Sequence, residues 1–598
     1  MKKPKIIIVG GGIAGLMAAI RIAERGFPVR IFSPIPVRRA GSGLSHEGIN
    51  AAVNSKGDGD SPEVHFEETV TAGGFLANQE PLRQMCFKGP EIVSLFDRMG
   101  VPFNRTPEGW IDFRRVGEGK YHRTAFAAGA TGSAGATGGA SATGRQLLYA
   151  LDEQARRYES EGLIEKFEGW EFLSIVKDGW DICRGIVAIH LSGMEIKAFP
   201  ANAVIVATGG PLGIFANTAG SALDCGAYAS SLYQQGAWYA NGEFIQTHPT
   251  AIPGRDKFRP IPESARFEGG RFFVPRDGQP FYFMEEWHSA HGNSAPRDLL
   301  CRSIHKVVYE MGLGPKGERA VYLDLTYLPR EIFEKKLKGV VEYCKKFAGR
   351  DPREVPIKIF PAVCTSMGGL WVDDDQMSNI PGLFSAGECD YQYHGAEALE
   401  GNTLLSAGYG GMKTGDAVVT YVEGLEAGAD SVDAPVFSAE AKRQWAINQE
   451  ILDRTGNENA HQIRRELGEW MRENVSIVRT NDRLKKTDEK IRELLQRLQK
   501  APPADRSSWM NPELIFSRRL YNMLELARVI TLSAFLRNES RGAHYKPEFP
   551  ERDDRNYLKT TKASWSASGG GPKIEYEDVM LKYLKPKARL LDAVRKAG

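Results

Sequence analysis

Gly10, Gly12 and Gly15 stand in a G-x-G-x-x-G spacing, a pattern whose chemistry is the cradling of phosphate. Gly10 allows a tight turn, Gly12 lets the backbone approach a pyrophosphate, and Gly15 lets a helix close on its strand, with Ala14 in the same turn. A purely structural turn is the competing reading, but three glycines at this spacing cost conformational entropy that a plain turn does not require. The acidic ribose ligand usual for NAD should fall near Phe32–Pro34, where the chain has Ser33. A hydroxyl can still bond a ribose, yet the replacement weakens the NAD reading. Ala207-Thr208-Gly209-Gly210 and Ala386-Gly387-Glu388 add two more glycine loops far away in sequence. Several separated loops suit the long dinucleotide FAD.

These loops need strands to hold them. Lys5–Val9, Ala14–Arg25 and Val29–Phe32 read as a strand–helix–strand unit, and Ala203–Val206 and Gly382–Phe384 as strands opening into the other two loops. Residues 244–357 change texture, with many aromatics, prolines and charges, and read as an inserted domain. From Ala439 to Lys500 a charged 3.6-residue period reads as helices. After Glu539 the chain is polar and proline-interrupted, which predicts a closing subdomain rather than another sheet. Ala127–Thr143 contains only Gly, Ala, Ser and Thr. It reads either as a loop that cannot offset its ordering entropy or as a glycine-rich wall against a cofactor.

At 598 residues the chain exceeds one domain several-fold, which predicts two to four folded units. Lys+Arg 77 against Asp+Glu 75 leaves a net charge of +2, so there is no global field for nucleic acid or anionic lipid. The start lacks a signal-peptide pattern, and no window approaches a membrane span, so a cytoplasmic protein is expected, with membrane contact only through a partner. Seven scattered cysteines without C-x-x-C fit a reducing compartment and argue against a metal or iron–sulfur cluster held by this chain.

The glycine turn, Asn50–Asp58, Gln246-Thr247-His248-Pro249-Thr250, Pro296-Arg297-Asp298, Ser366-Met367-Gly368-Gly369, Ala386-Gly387-Glu388 and Glu539–His544 occur in one order. In this the chain resembles the flavoprotein subunits of succinate dehydrogenase and fumarate reductase, nearly end to end. Phe103–Gly109 and Tyr239–Phe244 look most like the menaquinone-serving branch. The resemblance implies an α/β fold: a Rossmann-like FAD-binding domain (1–243 and 358–432) with an inserted α+β capping domain (244–357), a helical domain (433–541) and a C-terminal subdomain (542–598). It implies hydride exchange between a substrate carbon and the flavin, with Arg297 moving the proton, Asp298 holding it, Glu263 and Arg266 as relay, and His248 binding a substrate carboxylate. An isolated Arg-Asp pair is usually a salt bridge; the surrounding motifs reverse that here. Further FAD contacts are implied at Ser42, Gly48, Asn402, Leu404 and Leu405.

The departures from that pattern concentrate on the active site. The family's flavin-linking histidine is Gly41, so FAD is expected to be noncovalent, with His46 too far along to substitute. A carboxylate-binding histidine is Cys364, and the carboxylate-clamping arginine is Ala398, with Glu397 and Glu400 beside it. Pro262 and Phe267 also replace the usual residues. Losing an arginine and a histidine from a dianion site should cost several kcal/mol, at about 1.5–3 kcal/mol per charged hydrogen bond. The expectation is an FAD oxidoreductase subunit with a substrate altered from succinate or fumarate. It would pass electrons to an iron–sulfur subunit and through it to a quinone-reactive membrane anchor, peripheral to the inner face of the cell membrane. A soluble oxidase resembling L-aspartate oxidase and a catalytically silent flavoprotein subunit stay open as alternatives.

Overall fold

The computed structural model describes residues 4–116, 119–127, 143–289, 292–566 and 571–587. The Gly/Ala/Ser/Thr segment lies outside these except for its ends.

Ile6–Val9 and Ala203–Val206 are buried on both faces, as their unbroken apolar sequence requires of central parallel strands. They form a five-stranded parallel sheet in the order Leu383–Ser385, Ala203–Val206, Ile6–Val9, Val29–Ser33, Ile164–Glu168. Chain order reverses at Ile6–Val9, whose two neighbours lie on opposite sides, and the crevice beyond such a reversal is where dinucleotides bind. The helix that follows spans Ile13–Glu24. Gly10 takes φ +109°, and a Cβ there would meet the carbonyl oxygen of Ala207 at 2.2 Å, so only glycine lets the two loops cross.

A six-stranded sheet forms a second body, in the order Arg259–Pro260, Ile245–Ile252, Ile357–Ser366, Val321–Asp324, Arg271–Arg276, Gln279–Phe281. Its own apolar core draws on Phe272, Phe283, Leu300, Leu323 and Ile359. The long strands Ile245–Ile252 and Ile357–Ser366 pair antiparallel and tie this body to the first. Their register shifts on both sides of the Thr247–His248 pairings. Such bulges re-aim side chains, and His248 sits at one.

Helices Ala434–Leu452, Ala460–Asn474, Asn481–Leu498 and Pro512–Leu536 follow. The amphipathic period of Asn481–Leu498 buries Leu484, Ile491, Leu494 and Leu498. The C-terminal segment corrects the sequence reading, because it does build a sheet. Lys559–Ser564 and Lys573–Asp578 form an antiparallel pair that joins Tyr239–Ala240 and Gly369–Leu370. The polar alternation of these strands hid them. Lys573–Asp578 has mostly solvated side chains and is held by its backbone ladder. No helix among the described residues is long and apolar enough to cross a membrane.

Candidate active site

One cavity of about 570 Å³ runs between the parallel sheet and the antiparallel body. At one end it is walled by Gly10, Gly12, Ala14 and Ser33, and at the other by His248, Glu263, Arg297 and Cys364, with Ser42, Gly48, Thr208, Gly209 and Glu388 between. The helix starting at Ile13 has no side-chain cap, and the same holds for helix Asn402–Glu423, whose Thr403 and Leu404 also wall the cavity. Uncapped helix starts leave backbone N–H groups for an anion, so the donor set fits a pyrophosphate-bearing dinucleotide.

Sequence-expected cofactor residues divide by position. Gly15 packs on the Gly10 carbonyl, where a Cβ would lie 2.0 Å away, and so acts on the turn rather than on the cavity. Ser33 gives its hydroxyl proton to the Ile35 carbonyl at 2.6 Å, leaving only acceptor capacity for a ribose. Gly210 abuts Glu388, whose carboxylate accepts the Ser366 N–H at 2.9 Å. Burial pushes Glu388 up to about 8. Asn402 is wholly buried and bonds Asn50, His65 and Thr69, pinning its helix to another, while Leu405 lies in the core. The side chains of Asn402 and Leu405 are therefore structural, and that helix meets the cavity through Thr403 and Leu404. Gly41 and Asp224 both wall the cavity, and a Cβ on Gly41 would meet Asp224 Oδ2 at 2.5 Å. Burial lifts Asp224 to about 6. Asp224 carried no motif in the sequence.

Arg297 is the first residue of helix Arg297–His305, presented by Pro296. It is 6% exposed. Its Nε donates to Glu263 at 3.0 Å, and its Nη2 reaches Glu47 at 3.1 Å and Glu400 at 2.6 Å. Glu263 also bonds Arg266, which donates to the Ala295 carbonyl at 2.8 Å and stacks on Phe267 with 4.2 Å to the ring centroid. His248 Nε2 lies 3.2 Å from Glu263 Oε1, the oxygen that takes Arg297 Nε, while its Nδ1 accepts from the Thr250 N–H at 3.3 Å. That pattern fixes the neutral tautomer with Nε2 protonated. Burial lowers His248 to about 4, against the pull of Glu263.

Burial opposes ionisation of Glu263, yet Arg266 and Arg297 hold it ionised below the ordinary range. Glu400 goes the other way: burial, aided by the neighbouring carboxylates, outweighs Arg297 and raises it to about 7. Burial disfavours the Arg297 charge, but the three glutamates overcome that and push its proton affinity well above an ordinary arginine's.

Two placements add to the sequence reading. Asp298 puts its carboxylate on Arg302 at 2.6 Å, one helical turn on, so its position is set from the far side of its own helix turn as well as from the chain next to Arg297. Ala398 sits in a small apolar cluster with Leu76, Phe244 and Met367 rather than on the cavity wall, and Glu397 faces a minor cavity with Asp298 and Arg302. Glu400, two residues on, enters the site. Nothing at that spacing predicts a contact between Glu47 and residue 297; its one mark in the sequence is an acidic residue directly before Gly48. His46 also walls the cavity, edge-on to Tyr343, with burial holding it neutral at about 4. Cys364 walls it as a thiol donating to the Gln246 carbonyl at 3.5 Å. Burial pushes that thiol up to about 12.

A parallel sheet with a dinucleotide cavity at its reversal point, closed by a buried arginine from the antiparallel body, fits an FAD-dependent oxidoreductase. The family model for the FAD binding domain matches residues 5–404, and that for the fumarate reductase flavoprotein C-terminus matches residues 464–591. The chain is 54% identical over 589 residues to the succinate dehydrogenase flavoprotein subunit of Bacillus subtilis, with 98% of each covered. It is 31% identical to the fumarate reductase flavoprotein subunit of Escherichia coli, covering 98% of this chain and 95% of the relative. A solved variant of the E. coli quinol fumarate reductase superposes with TM-score 0.89 at 28% identity, covering 98% of both chains. The chain belongs to the succinate dehydrogenase and fumarate reductase flavoprotein family.

Proposed function

We propose that this chain works in a complex peripheral to the inner face of the cell membrane, exchanging a hydride at a carbon–carbon bond beside a carboxylate. It would hand the electrons to an iron–sulfur subunit and through it to a quinone-reactive anchor. Bound FAD supplies the hydride acceptor or donor. The observation that carries the reading is Arg297, buried at the cavity end with Glu263 on its Nε and Arg266 on the far side of Glu263. When a double bond is reduced, one carbon takes the hydride and the guanidinium proton of Arg297 goes to the other; Glu263 and Arg266 then return a proton to Arg297. Oxidation runs the same transfers backwards. His248 orients Glu263 and, by turning its Nε2–H, would bind a substrate carboxylate.

The proposed FAD attachment is noncovalent. Gly41 offers no nucleophile, and Asp224 fills the space a side chain there would need. The substrate is proposed to differ from succinate and fumarate, because Glu47 and Glu400 already occupy the arginine that a dianion would seek. The subunit role is supported by relatives named as flavoprotein subunits and by seven free cysteines with no cluster spacing. Purification under mild conditions tests it: a cluster-bearing protein that copurifies, together with flavin bleaching by a carboxylate substrate, supports the proposal. A lone protein that reacts only with oxygen would favour the soluble oxidase.

A further inference from the structure

Glu47 and Glu400 are the two carboxylates at the cavity end that the proton relay does not require. Glu47 is anchored, accepting from Arg297 at 3.1 Å and from the Thr403 hydroxyl at 2.8 Å. Glu400 lies 2.6 Å from Arg297 Nη2 and is 11% exposed along its side chain, but the approach is misaligned, and neither of its oxygens receives a hydrogen bond. Among the described residues the cations paired with Glu47, Glu263 and Glu400 are Arg297 and Arg266, and His248 is held neutral. With all three glutamates ionised the cluster carries an excess of one negative charge.

Resting on the hydride-transfer reading above, we propose that Glu47 and Glu400 are specificity-determining residues that select a substrate bearing an aliphatic ammonium group as well as a carboxylate, and turn dicarboxylates away. Three arguments converge. An ammonium has three donors to offer the two Glu400 oxygens that lack any, and buried acceptors without donors are costly. A second carboxylate on the substrate would have to displace Glu47 or Glu400 from Arg297 and leave that glutamate buried without its counter-charge. An ammonium against these two glutamates also offsets the charge that ties the proton to Arg297, so proton transfer becomes easier only when the right substrate is bound.

The test compares succinate with 4-aminobutanoate, a chain of the same carbon count with an ammonium in place of one carboxylate. Binding is read from the perturbation of the flavin absorbance spectrum of the FAD-loaded protein, without turnover. The expected result is that 4-aminobutanoate binds at least about tenfold more tightly than succinate, the scale of one charge-assisted hydrogen bond. Glu400→Gln and Glu47→Gln should each erase that preference while flavin content stays the same. Equal or tighter binding of succinate by the unmodified protein overturns the proposal, as does failure of both probes to perturb the flavin, or a loss of affinity for both probes alike in the variants. If 4-aminobutanoate binds as expected but no ammonium-bearing carboxylate ever bleaches the flavin, the selectivity stands and the hydride-transfer reading fails.

Discussion

Glu400 lies 2.6 Å from Arg297, on the same guanidinium nitrogen that Glu47 reaches at 3.1 Å. The Nη2 edge of this buried cation is thus met by the protein's own carboxylates, while its Nε stays committed to Glu263 at 3.0 Å. In the proposed mechanism, recognition and proton relay use different edges of one planar group, a division that lysine cannot reproduce.

Arg297→Lys keeps the charge but loses the planar fork. Turnover on any active substrate should fall by at least about 10²–10⁴, the usual contribution of general acid–base catalysis, with flavin content unchanged. Near-normal turnover in this variant would move the proton transfer elsewhere.

Acid precipitation should release yellow flavin into the supernatant. Flavin fluorescence that follows the denatured band on a gel would refute noncovalent binding. Gly41→Ala should lower flavin content in the purified protein, because its Cβ would sit 2.5 Å from Asp224 Oδ2. Pairing it with Asp224→Ala should restore the flavin.

Succinate and fumarate should be poor substrates of the unmodified protein. The cause is the pair Glu47 and Glu400 on Arg297 rather than the alanine at 398 alone, so Ala398→Arg with Cys364→His should help little while Glu400 remains. Steady-state assays with both dicarboxylates check this, and robust succinate oxidation would count decisively against it.

Glu388 gives a pH dependence whose sign can be worked out. Burial raises its folded-state value from 4.5 to about 8, so between those values the folded protein holds a proton that the unfolded chain has released. The associated stability is fully present below about pH 4.5 and is lost as pH rises through 8. The melting temperature of the flavin-free protein should fall across that window, and Glu388→Gln should flatten the slope. An unchanged slope in the variant would assign it to other groups.

Arg537 is fully buried, bonding Glu243 at 2.6 Å, Glu539 at 2.9 Å and the Lys559 carbonyl at 2.7 Å. Arg537→Ala leaves two buried carboxylates short of a partner and should destabilise the fold by about 3–5 kcal/mol. Denaturant unfolding measures it; a loss under about 1 kcal/mol would mean that Arg541, which also bonds Glu539, carries the network.

The glycine turn and its strands were legible because both signals are local. Ile6–Val9 is an unbroken apolar run, and Gly10, Gly12 and Gly15 are demanded by the backbone itself, so periodicity and turn chemistry specify them without knowledge of the rest. The same holds for helix Asn481–Leu498, whose apolar positions recur on one face. Strand Lys573–Asp578 escaped for the converse reason: its side chains are mostly solvated, and a ladder of backbone hydrogen bonds leaves no mark in residue type.

The sequence by itself, through its family resemblance, singled out Arg297, Glu263, Arg266 and His248 as candidates, with departures at Gly41, Cys364 and Ala398. Only the tertiary structure decided how they meet. Asp298 follows Arg297 in the chain, yet the helical turn carries its carboxylate to Arg302. Glu47 is 250 residues away from Arg297 and bonds it. Adjacency along a helix turns neighbours apart by its pitch, whereas a cavity between two packed bodies gathers side chains from segments whose separation in sequence carries no information about distance.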